Sequence, residues 1–187
     1  MHGIISLLDD AYYQQVEALW AELKREFGVQ GVYITPFPHF SYHIARQYDP
    51  EKLEPLLHTF ASEQKPFHVK TTGLGIFTGQ QPVLYIPVVR SPQLTKVHQA
   101  LWQRLVELGQ ANNDSQNYYA PDNWMPHITI GFSDVDCQML ANIVHYLGTH
   151  SFNWDIFIDN IALIYDTGTA QQLRTRIPLN GAKGLDS

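Results

Sequence analysis

Two histidines occupy nearly the same local sequence, Pro38-His39-Phe40-Ser41 and Pro126-His127-Ile128-Thr129. Each follows a proline and precedes an apolar residue and then a hydroxyl residue. The alternation of apolar and polar residues continues to Ile44 after the first and to Phe132 after the second. A period of two predicts strands, and on a strand residues i and i+2 share a face. His39 and Ser41 are therefore expected to project together, as are His127 and Thr129. Imidazole titrates near neutral pH, so one ring of a pair can be neutral while the other is protonated. Two hydroxyls beside them could donate hydrogen bonds to the non-bridging oxygens of a phosphate. Brought face to face, these four side chains would form an acid–base site for one small anionic group.

The elements that must position them fall into a repeat. Residues 3–8 read as a buried strand, after which Asp9 or Asp10 caps a helix striped with Tyr12, Val16, Leu19, Trp20, Leu23 and Phe27 and ended by Gly28. A strand is expected over 31–35, then the first histidine strand over 39–45. Asp49-Pro50 supplies a cap and an N1 proline for a helix to about residue 64. Strands over 67–77 and 82–89 precede the longest helix, opened by Ser91-Pro92, and a polar loop over 112–123. The second histidine strand, a helix over 134–147 and strands over 152–165 and 171–179 complete the chain. Each histidine strand is thus followed by a helix, a strand opening on phenylalanine (Phe67, Phe152), a turn and a further strand. The expected fold is α+β and bilobal: duplicated β-α-β-β units whose two antiparallel-rich sheets face a central cleft. Residues 1–187 are expected to form a single domain, with the motifs at 38–45 and 126–132.

Composition narrows the function. Of 187 residues, 44% are hydrophobic and 12% aromatic, enough for a packed core rather than a disordered chain. The single cysteine, Cys137, leaves no internal disulfide and no cysteine zinc site, which points to a reducing cytoplasm. No apolar run near the start is long enough for a signal peptide or membrane span. A net charge of −6 argues against a broad surface that tracks nucleic-acid phosphates. Partners are therefore expected to be a small nucleotide or an RNA end, with no extended nucleic-acid surface and no membrane. The chain itself is expected to be a monomer.

With both motifs in view, the sequence resembles the two-histidine (2H) phosphoesterases, the superfamily of 2'-5' RNA ligase-like proteins and cyclic phosphodiesterases. Its signature is two copies of His-x-Thr/Ser flanked by apolar residues, which His127-Ile128-Thr129-Ile130 and His39-Phe40-Ser41-Tyr42 both fit. The segments Thr72-Gly73-Leu74-Gly75-Ile76-Phe77 and Val83-Leu84-Tyr85-Ile86 resemble the hairpin between the motifs. The resemblance spans residues 32–177. It implies a bilobal α+β fold, no metal or other cofactor, and chemistry on a cyclic or 2',5'-linked phosphodiester. His39 and His127 would be the catalytic pair, with Ser41 and Thr129 binding phosphate.

Other residues are weighed beside these. His43 also begins a His-x-small sequence, but Ala45 and Arg46 then fall where a hydroxyl and an apolar residue belong. On an unbroken strand His43 would share the face of His39 and line the cleft mouth, roughly 13 Å away and too far for a shared metal. Phe37, Tyr118, Tyr119 and Trp124 could stack on a nucleobase, although loop packing is the simpler account of the last three. Arg46 and Arg90 are candidate phosphate partners. His98 and the other helix histidines read as partly solvated or hydrogen-bonded, and Cys137 as a buried thiol. The reaction expected is hydrolysis of a 2',3'-type cyclic phosphodiester. The alternatives are 2'-5' RNA ligation, cleavage of 2',5'-oligonucleotides or cyclic dinucleotides, a nucleotide-binding module without turnover, and a protein scaffold.

Overall fold

A computed structural model describes residues 2–109 and 116–181. Its strands and helices follow in the order β1 (His2–Leu7), α1 (Asp10–Phe27), β2 (His39–Ala45), α2 (Pro50–Glu63), β3 (Phe67–Lys70), β4 (Gly75–Phe77) and β5 (Val83–Pro87). Then come α3 (Pro92–Glu107), α4 (Gln116–Tyr119), β6 (His127–Gly131), α5 (Cys137–Leu147), β7 (Asp155–Ile158), β8 (Asn160–Asp166) and β9 (Gln171–Pro178). The mixed α+β class is the one expected. The order β-α-β-β occurs from β2 and again from β6.

Local chemistry accounts for the helix starts. The Asp9 carboxylate accepts from Tyr12 N at 3.1 Å and the Ser91 hydroxyl from Leu94 N at 3.1 Å, each satisfying an otherwise orphaned N–H. The stripes of α1 and α3 then bury Val16, Leu19, Trp20 and Leu23, and Leu94, Val97, Leu101 and Leu105.

All pairings are antiparallel. One sheet has the order β2-β1-β8-β9, a second β4-β5-β6, and a two-stranded pair β3-β7 joins the second through the Thr71–Val88 bridge. Both histidine strands are edge strands, so each keeps one side of its backbone unpaired within its sheet. Along β1, Ile4 and Leu8 enter the main core while Ile5 and Leu7 join a small cluster with Ala162 and Ile164. Among the described residues, no helix is long and apolar enough to cross a membrane.

Several elements differ from the sequence expectation. Residues 31–34 form a 3-10 helix rather than a strand, because Gln30 N and Gly31 N both donate to the Asp134 carboxylate, at 2.6 and 2.8 Å. The strand expected over 67–77 breaks before Gly73, which has φ 58°, and the one over 152–165 breaks at Asp159. Within the loop expected over 112–123, Gln116–Tyr119 is a short helix and residues 112–115 lie outside the described residues. Cys137 is exposed, not buried, because it opens α5 on the solvent side of the Asp136 cap.

His98, expected on a partly solvated helix face, is buried. It and His43 are both pushed down to about 4 by burial, and one nitrogen of each ring has no hydrogen-bond partner. The unfolded chain would bind protons on them near the ordinary value of about 6.5. It therefore takes up protons between pH 6.5 and 4 that the fold refuses. The stability these rings contribute is complete above about pH 6.5 and is lost as pH falls toward 4. Thermal melts across that range are expected to show a falling Tm, with a shallower fall in His98→Phe. Equal slopes in the two proteins would show that His98 does not contribute to the proton uptake.

Candidate active site

Each histidine opens its edge strand, and the proline before it has a structural use. Proline disfavours helical backbone in the residue it follows. In both motifs the carbonyl of that preceding residue, Phe37 or Met125, receives the imidazole Nδ1–H, at 2.6 Å for His127. The carbonyls of Pro38 and Pro126 accept from Leu8 N and Val88 N, at 3.2 and 2.9 Å. A carbonyl can only accept, so Nδ1 carries the proton in both rings. Nε2 is left as a lone pair in the neutral ring or a donor in the charged one.

The two strands match in detail. Both begin with the burial pattern half-buried, buried, half-buried, buried, buried. This sets Ser41 beside His39 and Thr129 beside His127. Both then carry a bulge at the same place: Tyr42 is the extra residue opposite Ile4 and Ile5, and Ile130 the extra residue opposite Leu84 and Tyr85. A bulge reverses the facing of the residues beyond it. His43 is therefore corrected from cleft mouth to interior: it is 1% exposed, its Nδ1 is 2.6 Å from the Tyr48 hydroxyl, and its ring meets Trp102 and Tyr119. Ile44 takes the cleft-facing place instead.

Two tryptophans tie the motifs to each other. On the open edges, Ser41 O accepts from Trp124 Nε1 at 2.9 Å and Thr129 O from Trp20 Nε1 at 3.1 Å. Trp20 lies before the first motif and holds the second, whereas Trp124 lies beside the second and holds the first. Trp124 is 1% exposed and lies between Tyr42, at 5.9 Å, and His98, stacked at 3.8 Å and 3°. It is a floor and a brace, not the base-stacking platform considered from sequence. Arg90 is engaged by the same loop, donating to the carbonyls of Trp124 and Pro121 at 3.1 and 2.7 Å.

The cleft has two chambers. One, of about 470 Å³, is lined by Phe77, Val83, Met125 and His127 among others; the second, of about 450 Å³, by Ile34, Thr35, His39 and Gln171 among others. Tyr118, Tyr119, Thr129 and Phe132 line both, so the two histidines stand on either side of shared walls. These are ligand-sized volumes. Ser41 shares the face of His39 but is not among the lining residues, and exposed Arg46 lies beyond the end of β2. Phe37 turns its ring onto the small Ile5–Leu7 cluster and offers its carbonyl rather than its face. Of the aromatic candidates, Tyr118, 74% exposed, Tyr119 and the buried Trp124 line the cleft. Sequence reasoning missed the bracket around His127, formed by Phe77 at 5.0 Å and Tyr85 at 5.1 Å, themselves stacked at 4.2 Å. Gly75 permits this, since a Cβ there would lie 2.3 Å from the Tyr85 ring.

Burial holds both candidate imidazoles below their ordinary value, and the carbonyl contacts oppose it. His39 is lowered further by the charge on His127, so the rings are within electrostatic reach. Among the described residues, no three His, Cys, Asp or Glu side chains are grouped to hold a metal ion.

Paired His-x-Ser/Thr strands on an α+β frame define a 2H phosphoesterase. Residues 10–170 match the 2'-5' RNA ligase superfamily, and the chain belongs to it. A Bacillus cereus (strain B4264) protein provisionally named a phosphoesterase is 28% identical over 131 residues, 68% of this chain and 70% of that one. A Thermus thermophilus protein has the same fold at a TM-score of 0.70 and 16% identity, over 96% of this chain and 98% of that one. E. coli LigT in its apo form gives 0.64 and 15%, over 95% and 96%.

Two outcomes test this geometry without any assay of activity. In His127→Asn the like charge is gone, and the NMR titration of His39 should move upward. An unmoved His39 would place the rings in separate environments. Trp20→Phe and Trp124→Phe each leave one edge carbonyl without its donor and should lower stability by about 1–3 kcal/mol in denaturant melts. Wild-type stability in both would remove the cross-brace.

Proposed function

We propose that this chain is a phosphodiesterase that opens a 2',3'-type cyclic phosphodiester with His39 and His127 as the acid–base pair. The observation that carries the reading is the matched restraint: in each ring Nδ1 is bound to a backbone carbonyl, and the two histidines line adjoining chambers that share four wall residues. E. coli LigT has been solved with NADP+ and with 3'-AMP, so a protein of this fold accepts nucleotides.

One neutral imidazole removes a proton from water as its oxygen attacks phosphorus. The bond from phosphorus to one ribose oxygen breaks, and the other imidazole, protonated, gives its Nε2 proton to that oxygen. The product is a ribose phosphomonoester, the 2'-phosphate being the one to seek first, and the net proton count is unchanged. The Thr129 hydroxyl, which lines both chambers, donates to a non-bridging oxygen, where negative charge grows, and Ser41, on the face of His39 but outside the lining, is the candidate second donor. No step draws on a metal, and the single cysteine suits the cytoplasm as the setting. The two chambers would also seat a phosphodiester linking two nucleosides, which is the second reading.

Each positioned proton transfer contributes typically ~10²–10⁴ in rate. His39→Ala and His127→Ala should each lose at least about a hundredfold in kcat on a nucleoside 2',3'-cyclic phosphate, under a chelator, with the fold intact by circular dichroism. Because burial lowers both rings, the alkaline limb of kcat/KM for the wild type should fall below pH 6.5. In kcat that limb should lie higher, since bound phosphate favours the imidazolium. Unchanged rates in both variants would end the assignment.

A further inference from the structure

We infer that the substrate of this cleft carries one phosphate and no further anionic group, a nucleoside cyclic phosphate with a free 5'-hydroxyl rather than the end of an RNA chain. The inference rests on the reaction proposed above and adds what lies on either side of the reacting phosphorus.

Charge is the first ground. Neither chamber is lined by a lysine or arginine among the described residues, and one carboxylate, Asp166, stands in the second. Of the residues outside that description, 110–115 include no lysine or arginine, and Lys183 is the one cation among 182–187. Elsewhere several of the cations have other engagements. Arg104 pairs with Glu63, Arg174 with Glu54 and Arg176 with Asp159, while Lys24 lies over the Tyr33 ring. Arg90, nearest the cleft floor, directs its donors to backbone carbonyls. A second phosphate would meet no lysine or arginine in the described lining, with the guanidinium of Arg90 behind the Trp124 floor and its donors already taken, on a chain of net charge −6. Proteins that follow an RNA or DNA strand need the opposite arrangement, since binding there comes from cations replacing the counterions of each phosphate.

The walls are the second ground. Ile34, Tyr118, Met125 and Phe132 are large apolar side chains left exposed, and all four line the cleft. Such a rim covers the face of a base or the carbon edge of a sugar and gives nothing to phosphate oxygens. The polar groups that are present are neutral. Thr35 Oγ1 donates to Gln171 Oε1 at 3.0 Å, which turns the other end of that amide, a double donor, to hydroxyl or base oxygens. Exposed Asn123 plays the like part in the first chamber.

The test compares kcat/KM for three substrates at low and high salt: a nucleoside 2',3'-cyclic phosphate, its 5'-phosphorylated form, and an oligoribonucleotide ending in the same cyclic phosphate. The first should exceed each of the others by at least about tenfold, with little dependence on salt. In Met125→Lys the oligoribonucleotide should gain on the first compound. An oligoribonucleotide turned over as well as or better than the mononucleotide, with a rate that falls steeply with salt, would overturn the inference and leave the proposed chemistry standing. No turnover of any of the three would sink that chemistry, and the inference with it.

Discussion

Two imidazoles can act on one phosphorus only if both strands that carry them keep their spacing, and that spacing depends on two reciprocal indole hydrogen bonds. Trp124 donates to the Ser41 carbonyl and Trp20 to the Thr129 carbonyl, so each motif is held by a tryptophan from the opposite half of the chain. Edge strands make this arrangement possible, because their outer carbonyls have no ladder partner and accept a donor from elsewhere. Edge strands also make it necessary, since an unsatisfied carbonyl beside a buried core costs about as much as a lost hydrogen bond. The stack of Trp124 on His98 and the placement of Trp20 in the α1 stripe fix both donors in the main core.

Within each strand a second restraint sets the ring. One neutral hydrogen bond contributes on the order of 1 kcal/mol net, about a fivefold preference between the two flips of an imidazole. That is modest alone. For His127 the bracket of Phe77 and Tyr85 adds a packing preference, and for His39 burial narrows the alternatives. The bulge after each hydroxyl residue then ends the cleft-facing run and turns the chain inward. The bulge thus removes His43 from the cleft-facing set and puts Ile44 there in its place.

The sequence was readable where interactions are local. Alternation located both strands, and Asp9, Ser91 and the N1 prolines located helix starts, because caps and periodicity act within a few residues. The failures share one cause, a distant partner. Residues 31–34 have a strand-like composition, yet the Asp134 carboxylate draws two N–H groups at the start of that segment into a 3-10 turn, and a Cβ on Gly31 would lie 1.7 Å from the Phe132 carbonyl oxygen. The inward turn of His43 follows from a bulge that no count of alternating residues registers. The tryptophan braces and the Phe77–Tyr85 bracket join residues far apart in the chain. The second strand repeats the outcome: Gly131, the residue after its bulge, is buried as His43 is.

The absence of lysine and arginine from the described lining bears on the chemistry as well as on the ligand. A fixed cation would already bind the monoanionic phosphodiester in the ground state, and the part of that binding common to ground and transition state does not accelerate the chemical step. Here the positive charge has to arrive as a proton on an imidazole that burial has made reluctant to hold it. Each pKa unit of that reluctance is about 1.4 kcal/mol. On the proposed reading, the approaching phosphate offsets the penalty only when it lies against the protonated Nε2. The same contact that binds the substrate thus charges the acid. The proton then passes to the ribose oxygen as the breaking bond leaves charge there, when that oxygen's affinity for a proton overtakes that of the imidazole.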